Sequence, residues 1–178
     1  MPSSLEKVIE SLPHPKILPI VGEPTYETLA EINLKLNTNS ASVHSHLLNG
    51  QLGLLYLTVL PDVYLTHSAT PFVPPANVGP PPTVPNGSTA VQTTSIRQQH
   101  ELDTQLYRKY DTTDKALMSL LIASVDETYI WSLRNKYIGY ANISTLQMLT
   151  NLYSAYAKIT ESYLEENEKP MRANYNVN

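Results

Sequence analysis

Apolar residues recur at helical spacing over most of this chain, and prolines interrupt the pattern in two places. The first firm run is "TYETLAEINLKLN", residues 25–37, where Leu29, Ile32 and Leu36 fall three and four positions apart and form one apolar face. Pro24-Thr25 with Glu27 and Glu31 behind it marks the start. A shorter helix is expected over 41–48, before Gly50 and Gly53 break the chain. Residues 52–60, "LGLLYLTVL", read either as a strand or as a buried helical turn, because periodicity does not separate the two at that length. Pro61-Asp62 opens another short helix.

From Ser88 to Val125 there is neither proline nor glycine. Ile96, Leu106, Tyr110, Leu117 and Leu121 trace the apolar line of a long helix, polar in its first half and apolar in its second. Asp111-Thr112-Thr113-Asp114 makes a good cap, so a break is expected there. Asp126-Glu127 caps the next helix, "ETYIWSLRNKY", and Gly139 is its expected stop. Asn142 or Ser144 opens a last helix with a stripe of Ile143, Leu146, Leu149, Tyr153 and Tyr156. That helix is expected to reach as far as Glu168, with Pro170 as its stop.

The prolines divide the chain. Five lie in residues 1–24, which read as an extended lead-in with a short turn of helix over 5–12. Seven of the fifteen residues from Pro71 to Pro85 are proline, a loop or polyproline II segment. Phe72 and Val73 inside it favour a loop lying on a helical domain over a free linker. The expected architecture is therefore all-α: a lead-in over 1–24, a multi-helix domain over 25–160 with a Pro-rich loop at 70–87, and a polar tail over 161–178.

Composition narrows the functional classes. Charged residues are 16 % of the chain, below the ~25 % of average domains, and twelve tyrosines stand against one Phe and one Trp. Tyrosine buries its ring and keeps its hydroxyl wet, which suits contacts between helices and between proteins. A net charge of −4 creates no general attraction for nucleic acid. The absence of cysteine excludes disulfides, thiolate zinc sites and cysteine nucleophiles. No basic segment followed by an apolar run opens the chain, and no apolar stretch approaches the ~20 residues of a membrane helix. A cytoplasmic protein without membrane contact is the expectation.

Candidate chemistry is sparse. His44 and His46 sit at the spacing of two metal ligands, but no third ligand is near in sequence. Ser45, His46 and Asp62 can be assembled into a triad only on paper. No glycine elbow and no phosphate-binding glycine loop accompany them. Neither a catalytic group nor a cofactor is assigned. The Pro-rich segment fits an aromatic-groove partner.

The C-terminal half, "DKALMSLLIASVDETYIWSLRNKYIGYANISTLQMLTNLYSAYAKI", resembles the Gag polyprotein of Ty1/copia-type LTR retrotransposons. Ala116, Leu117, Leu120, Leu121, Asp126, Trp131, Leu133, Leu146, Leu149, Leu152 and Tyr153 occupy the places of that family's hydrophobic pattern. The segment from Pro24 to Val59 looks like the lead segment of copia-type Gag proteins, so the resemblance covers about residues 20–175. It implies a non-enzymatic capsid domain that self-assembles into a virus-like particle enclosing the element's RNA. The Cys-containing zinc knuckle of many Gag proteins is absent, so RNA contact is expected through the full-length Gag rather than through this part. A second capsid subdomain is expected downstream. The candidate core and self-association residues are Tyr129, Trp131, Leu133, Tyr137, Tyr140, Leu146, Leu149, Tyr153 and Tyr156. Two alternatives stand beside this reading. One is a host-adopted Gag-like or Pro-rich interaction module. The other is a small metal-dependent enzyme using His44 and His46.

Overall fold

The structure is a computed structural model that describes residues 4–45 and 52–158. Its regular structure is mostly helical, and among the described residues the only β-type pairing is an isolated bridge between Asn135 and Gly139. Among the described residues six α-helices follow one another: α1 (Ser4–Ser11), α2 (Tyr26–Ser42), α3 (Pro61–His67), α4 (Ala90–Ser124), α5 (Glu127–Ile130) and α6 (Thr145–Tyr156). Short 3₁₀ turns lie at Leu55–Leu57 and Trp131–Leu133. The segment 52–60 is therefore helical turn and not strand.

Three of the helices begin with reciprocal caps. Thr25 and Thr28 cap α2, Thr89 and Gln92 cap α4, and Ser144 and Gln147 cap α6. In each pair one side chain accepts from the other residue's backbone N–H, so both orphan donors are satisfied. Helix α3 starts on Pro61, whose missing N–H costs nothing at that position.

Helix α2 runs past Asn37 to Ser42, five residues beyond the apolar pattern. Tertiary partners hold the polar extension. The Asn39 amide accepts from His14 N–H at 2.7 Å and donates to His14 C=O at 2.9 Å. The hydroxyls of Ser40 and Thr58 lie 2.9 Å apart in the interior. The shorter helix expected over 41–48 does not form on its own account: α2 ends at Ser42 with extended Val43, and 46–48 lie outside the described residues. Leu54 N–H donates to Ser40 C=O at 2.9 Å as the chain folds back on α2. Gly53 sits at that crossing with φ +51°, and a Cβ there would lie 2.2 Å from Ala41 O.

The lead-in is part of the packing. Leu12 and Ile17 are buried, α1 lies on α4, and Ile20 N–H donates to Ser124 C=O at 2.8 Å. A single apolar cluster joins this segment to α2, α3, α4, α5 and α6.

Helix α4 is continuous, contrary to the break expected at Asp111–Asp114. The would-be capping residues find other partners. Thr113 Oγ1 donates to Lys109 C=O at 2.7 Å, Asp111 pairs with Lys115 at 2.5 Å, and the Asp114 carboxylate accepts from Thr145 N–H of α6 at 3.1 Å. The helix is about 52 Å long at 1.5 Å per residue, and its buried residues all fall from Thr113 onward. Its first half carries the Pro-rich segment instead. Residues 69–88 form no helix or strand. Phe72 is buried against Tyr56, Tyr64 and Tyr110, at ring-centroid distances of 4.8, 5.9 and 6.2 Å. A His100 ring nitrogen lies 3.2 Å from Gly79 C=O. Val73, beside Phe72, is exposed.

Further expectations are corrected after α4. The helix from Glu127 is a single turn followed by 3₁₀, and it stops at Leu133. Asn135 explains why: its side-chain oxygen accepts from Tyr137 N–H at 2.9 Å and Ile138 N–H at 3.3 Å, offering the backbone a turn in place of a helix. Gly139, with φ +60°, closes that turn by exchanging two 2.9 Å backbone hydrogen bonds with Asn135; it is not a helix stop. In α6 the buried face is Thr145, Met148, Leu149 and Leu152, rotated from the expected stripe. Of that stripe only Leu149 is buried, while Ile143, Leu146, Tyr153 and Tyr156 are half-buried. The helix ends at Tyr156, short of the expected extension: Ala157 and Lys158 are already outside it, and 159–168 lie outside the described residues.

Candidate self-association surface

The nine residues singled out by sequence divide by environment. Leu149 is core. Tyr129, Leu133, Tyr140, Leu146, Tyr153 and Tyr156 are half-buried. Tyr129 meets Tyr156 edge-on at 5.2 Å, tying α5 to α6, and Tyr153 meets Tyr26 edge-on at 6.1 Å, tying α6 to α2. Trp131 and Tyr137 are open to solvent, at 57 % and 81 % exposure, and Ile138, which sequence reasoning passed over, is 45 % exposed.

The local fold produces this division. Asp126 caps α5 by accepting from Thr128 N–H at 2.9 Å. Ile130 is then driven into the core, and the tighter 3₁₀ turn puts Trp131 on the outside. The Asn135 turn carries Tyr137 and Ile138 outward in the same way. Cations lie over both exposed rings: the Arg134 guanidinium is 4.6 Å from the Trp131 ring centre and Lys136 Nζ is 4.6 Å from that of Tyr137. Arg134 also faces Glu127 at 3.6 Å. Tyr140 lies behind this surface with its hydroxyl buried and unpartnered. Burial raises its phenol above the ordinary range, Glu127 adds to the rise, and Arg134 opposes it.

Among the concave regions elsewhere, two bear on candidate chemistry. One, of about 420 Å³, runs along the first half of α4 between Leu54, Leu102, Leu106 and Tyr110, with His44 at its edge. Burial, with Asp114 and Tyr56 adding to it, pushes the Tyr110 phenol up to about 12. Among the described residues no three His, Asp or Glu side chains converge on a common point, there or elsewhere. His46 lies outside the described residues, so the His44–His46 pair is not formed within them.

The other, of about 320 Å³, lies between α2, α3 and α6. Asn33 and Asn37 line it, each with a buried side-chain oxygen that has no hydrogen-bond partner. The Asn33 amide adjoins the Tyr153 hydroxyl, whose ionisation burial raises more than Asn33 lowers it. Sequence reasoning missed both asparagines. The available signal was their position: each follows directly on a core residue of α2, Ile32 or Leu36, at the edge of the apolar stripe.

Comparison of the chain with protein-family models, with curated proteins and with solved structures finds no match. No helix among the described residues is long and apolar enough to cross a membrane.

Proposed function

We propose that this protein is a self-associating structural subunit, the capsid domain of a Gag of the Ty1/copia type, and that its assembly encloses the element's RNA. The observation that carries the reading is the exposed segment 131–138. It displays Trp131, Tyr137 and Ile138 on a frame anchored by buried Ile130 and half-buried Tyr140. Tryptophan, tyrosine and arginine are enriched among the residues that dominate protein–protein contacts. Shell assembly relies on such contacts repeated with symmetry rather than on a chemical centre. The resemblance of the hydrophobic pattern to that of Gag proteins is what favours a shell as the class of assembly. RNA enclosure belongs to the full-length protein.

The test is sedimentation of the purified chain over a concentration series, with electron microscopy of the full-length parent. Concentration-dependent oligomers and closed particles are expected. A chain that stays monomeric at millimolar concentration, from a parent that forms no particles, overturns the reading.

A second reading has its own observation. Residues 80–85 are almost wholly exposed and rich in proline, on a segment pinned by Phe72 and at Gly79. A pinned polyproline ridge fits a partner with an aromatic-lined groove. Capture of such a partner, lost when Pro80, Pro81 and Pro82 are replaced by alanine, is the result that favours this reading.

A further inference from the structure

The joint between the Pro-rich segment and α4 carries a reactive pair. Asparagine is a chemically labile residue, because the backbone nitrogen of the next residue can attack its side-chain amide. Attack needs that nitrogen to be uncrowded, and glycine crowds it least. Among the described residues only Asn86 precedes a glycine.

The fold leaves this pair open. Asn86 and Gly87 are the central residues of an exposed turn, closed by Ser88 N–H donating to Pro85 C=O at 3.2 Å. Gly87 has φ +86°, the left-handed value that glycine supplies at the third position of such turns. Among the described residues nothing hydrogen-bonds to the Asn86 amide or to Gly87 N–H. A Cβ added at Gly87 would meet nothing within 4 Å, so a new ring has room there.

Other asparagines are held or hindered. Asn33, Asn37, Asn39 and Asn151 lie inside helices, where the following N–H is already a helix donor. The Asn77 side chain accepts from Gly79 N–H at 3.1 Å and that of Asn135 from Tyr137 N–H at 2.9 Å. Asn142 is exposed but precedes Ile143, whose branched side chain crowds the nitrogen.

We infer that Asn86 is a site of spontaneous deamidation. The Gly87 nitrogen loses its proton to solvent and bonds to the Asn86 side-chain carbonyl carbon, closing a cyclic imide. The bond from that carbon to the side-chain nitrogen breaks, and ammonia leaves with a proton returned by solvent. Water then opens the imide at either carbonyl. The product at position 86 is an aspartyl residue, or an isoaspartyl residue whose backbone is one methylene longer. Water is the only co-reactant consumed.

The position gives the change weight. From Val63 to Ile96 the chain has no Asp, Glu, Lys or Arg. The new carboxylate puts a negative charge into that stretch, directly after the exposed ridge 80–85. The isoaspartyl form also lengthens the joint between a segment pinned at Phe72 and Gly79 and a helix that starts at Ala90.

The test is incubation of the purified full chain in warm, mildly alkaline buffer, followed by peptide mapping with mass spectrometry and labelling of isoaspartyl groups. Asn49-Gly50, the chain's other such pair, lies outside the described residues and is followed in its own peptide. The Asn86 peptide is expected to gain the mass of a hydroxyl in place of an amino group, at a rate within a few-fold of that of a free peptide spanning 80–92. Gly87→Ala is expected to slow the change by about an order of magnitude, because its methyl crowds the attacking nitrogen. Thermal melts confirm that the variant folds. An unchanged Asn86 in the full chain overturns the inference. So does equal conversion at Asn77 or Asn142, which would mean that neither Gly87 nor the open turn selects the site. A rate in Gly87→Ala equal to that of the unaltered chain removes the Gly87 nitrogen as the attacking group and overturns it as well.

Discussion

Asp114 and Thr145 are joined twice across 31 residues of chain: Thr145 N–H donates to the Asp114 carboxylate at 3.1 Å, and Thr145 Oγ1 donates to the Asp114 backbone carbonyl at 3.0 Å. The middle of α4 thereby caps the start of α6, beside the cap that Ser144 already makes. A carboxylate at a helix N-terminus also meets the positive end of the helix dipole. Asp114→Ala is expected to cost about 1–2 kcal/mol, the scale of a lost cap, read by urea denaturation. An unchanged midpoint would show that Ser144 alone suffices.

Asp114 also sets a pH dependence. Burial raises its carboxyl above the ordinary value of 3.8, and this outweighs the hydrogen bonds from Thr145. A folded pKa above the unfolded one means that the folded chain binds the extra proton. This group's relative stabilisation is full below the unfolded pKa and is lost as pH rises through the folded one. Asp126 has the opposite sign: its hydrogen bonds from Thr128 lower its carboxyl, so its contribution is lost as pH falls. Thermal melts of the unaltered chain and Asp114→Asn across the carboxylate range make the comparison. The unaltered chain is expected to gain on the variant as pH falls, and a gain as pH rises would contradict the assignment.

Phe72 holds the Pro-rich segment to the core through three tyrosines. Phe72→Ala is expected to cost about 3–5 kcal/mol, as for other buried aromatic truncations. It is also expected to speed proteolysis within 73–85. Val73→Ala, one position away and exposed, is expected to do neither. Equal protease sensitivity of the two variants would mean that the anchor lies elsewhere.

Two glycines with similar φ separate strain from collision. At Gly139 an added Cβ meets nothing within 4 Å, so Gly139→Ala is expected to cost only the left-handed conformation, about 1–2 kcal/mol. At Gly53 the same atom meets backbone oxygens of Ala41 and Val43 at 2.2 and 2.7 Å. Gly53→Ala must move the crossing over α2 and is expected to cost several times as much. Chemical denaturation of both variants gives the ratio, and parity would show that the crossing yields freely.

Asn37→Leu is expected to raise the stability of the monomer by about 1 kcal/mol, because it removes a buried acceptor that has no partner. The measurement is a melt at low protein concentration. A fall of similar size would mean that the lone chain already satisfies that oxygen.

Helix positions were largely legible from spacing and capping chemistry. Leu29, Ile32 and Leu36 at three and four residues specify the inner face of α2. Thr25, Pro61 and Ser144 mark helix starts because their local hydrogen bonds, or Pro61's missing one, are settled within a few residues. The same local reasoning went astray where a polar side chain had two uses. Asp111 to Asp114 can cap a new helix or decorate a continuous one, and the choice fell to Thr145, far along the chain. Asn39 and Ser40 lie beyond the apolar run of 25–37, yet His14 and Thr58 keep them helical.

The sequence by itself determined that this chain is helical, where most of its helices begin, and which apolar residues were available to a core. Those properties depend on contacts within a few positions. Only the tertiary structure decided which tyrosines pack inside, that Trp131 and Tyr137 face outward, and that Asn33 and Asn37 share a cleft with unpaired oxygens. The reason is that the face a helix buries is set by what packs against it. In α6 the partners on α2, α4 and α5 turned the buried line onto Thr145, Met148, Leu149 and Leu152, a rotation that no spacing along the chain records.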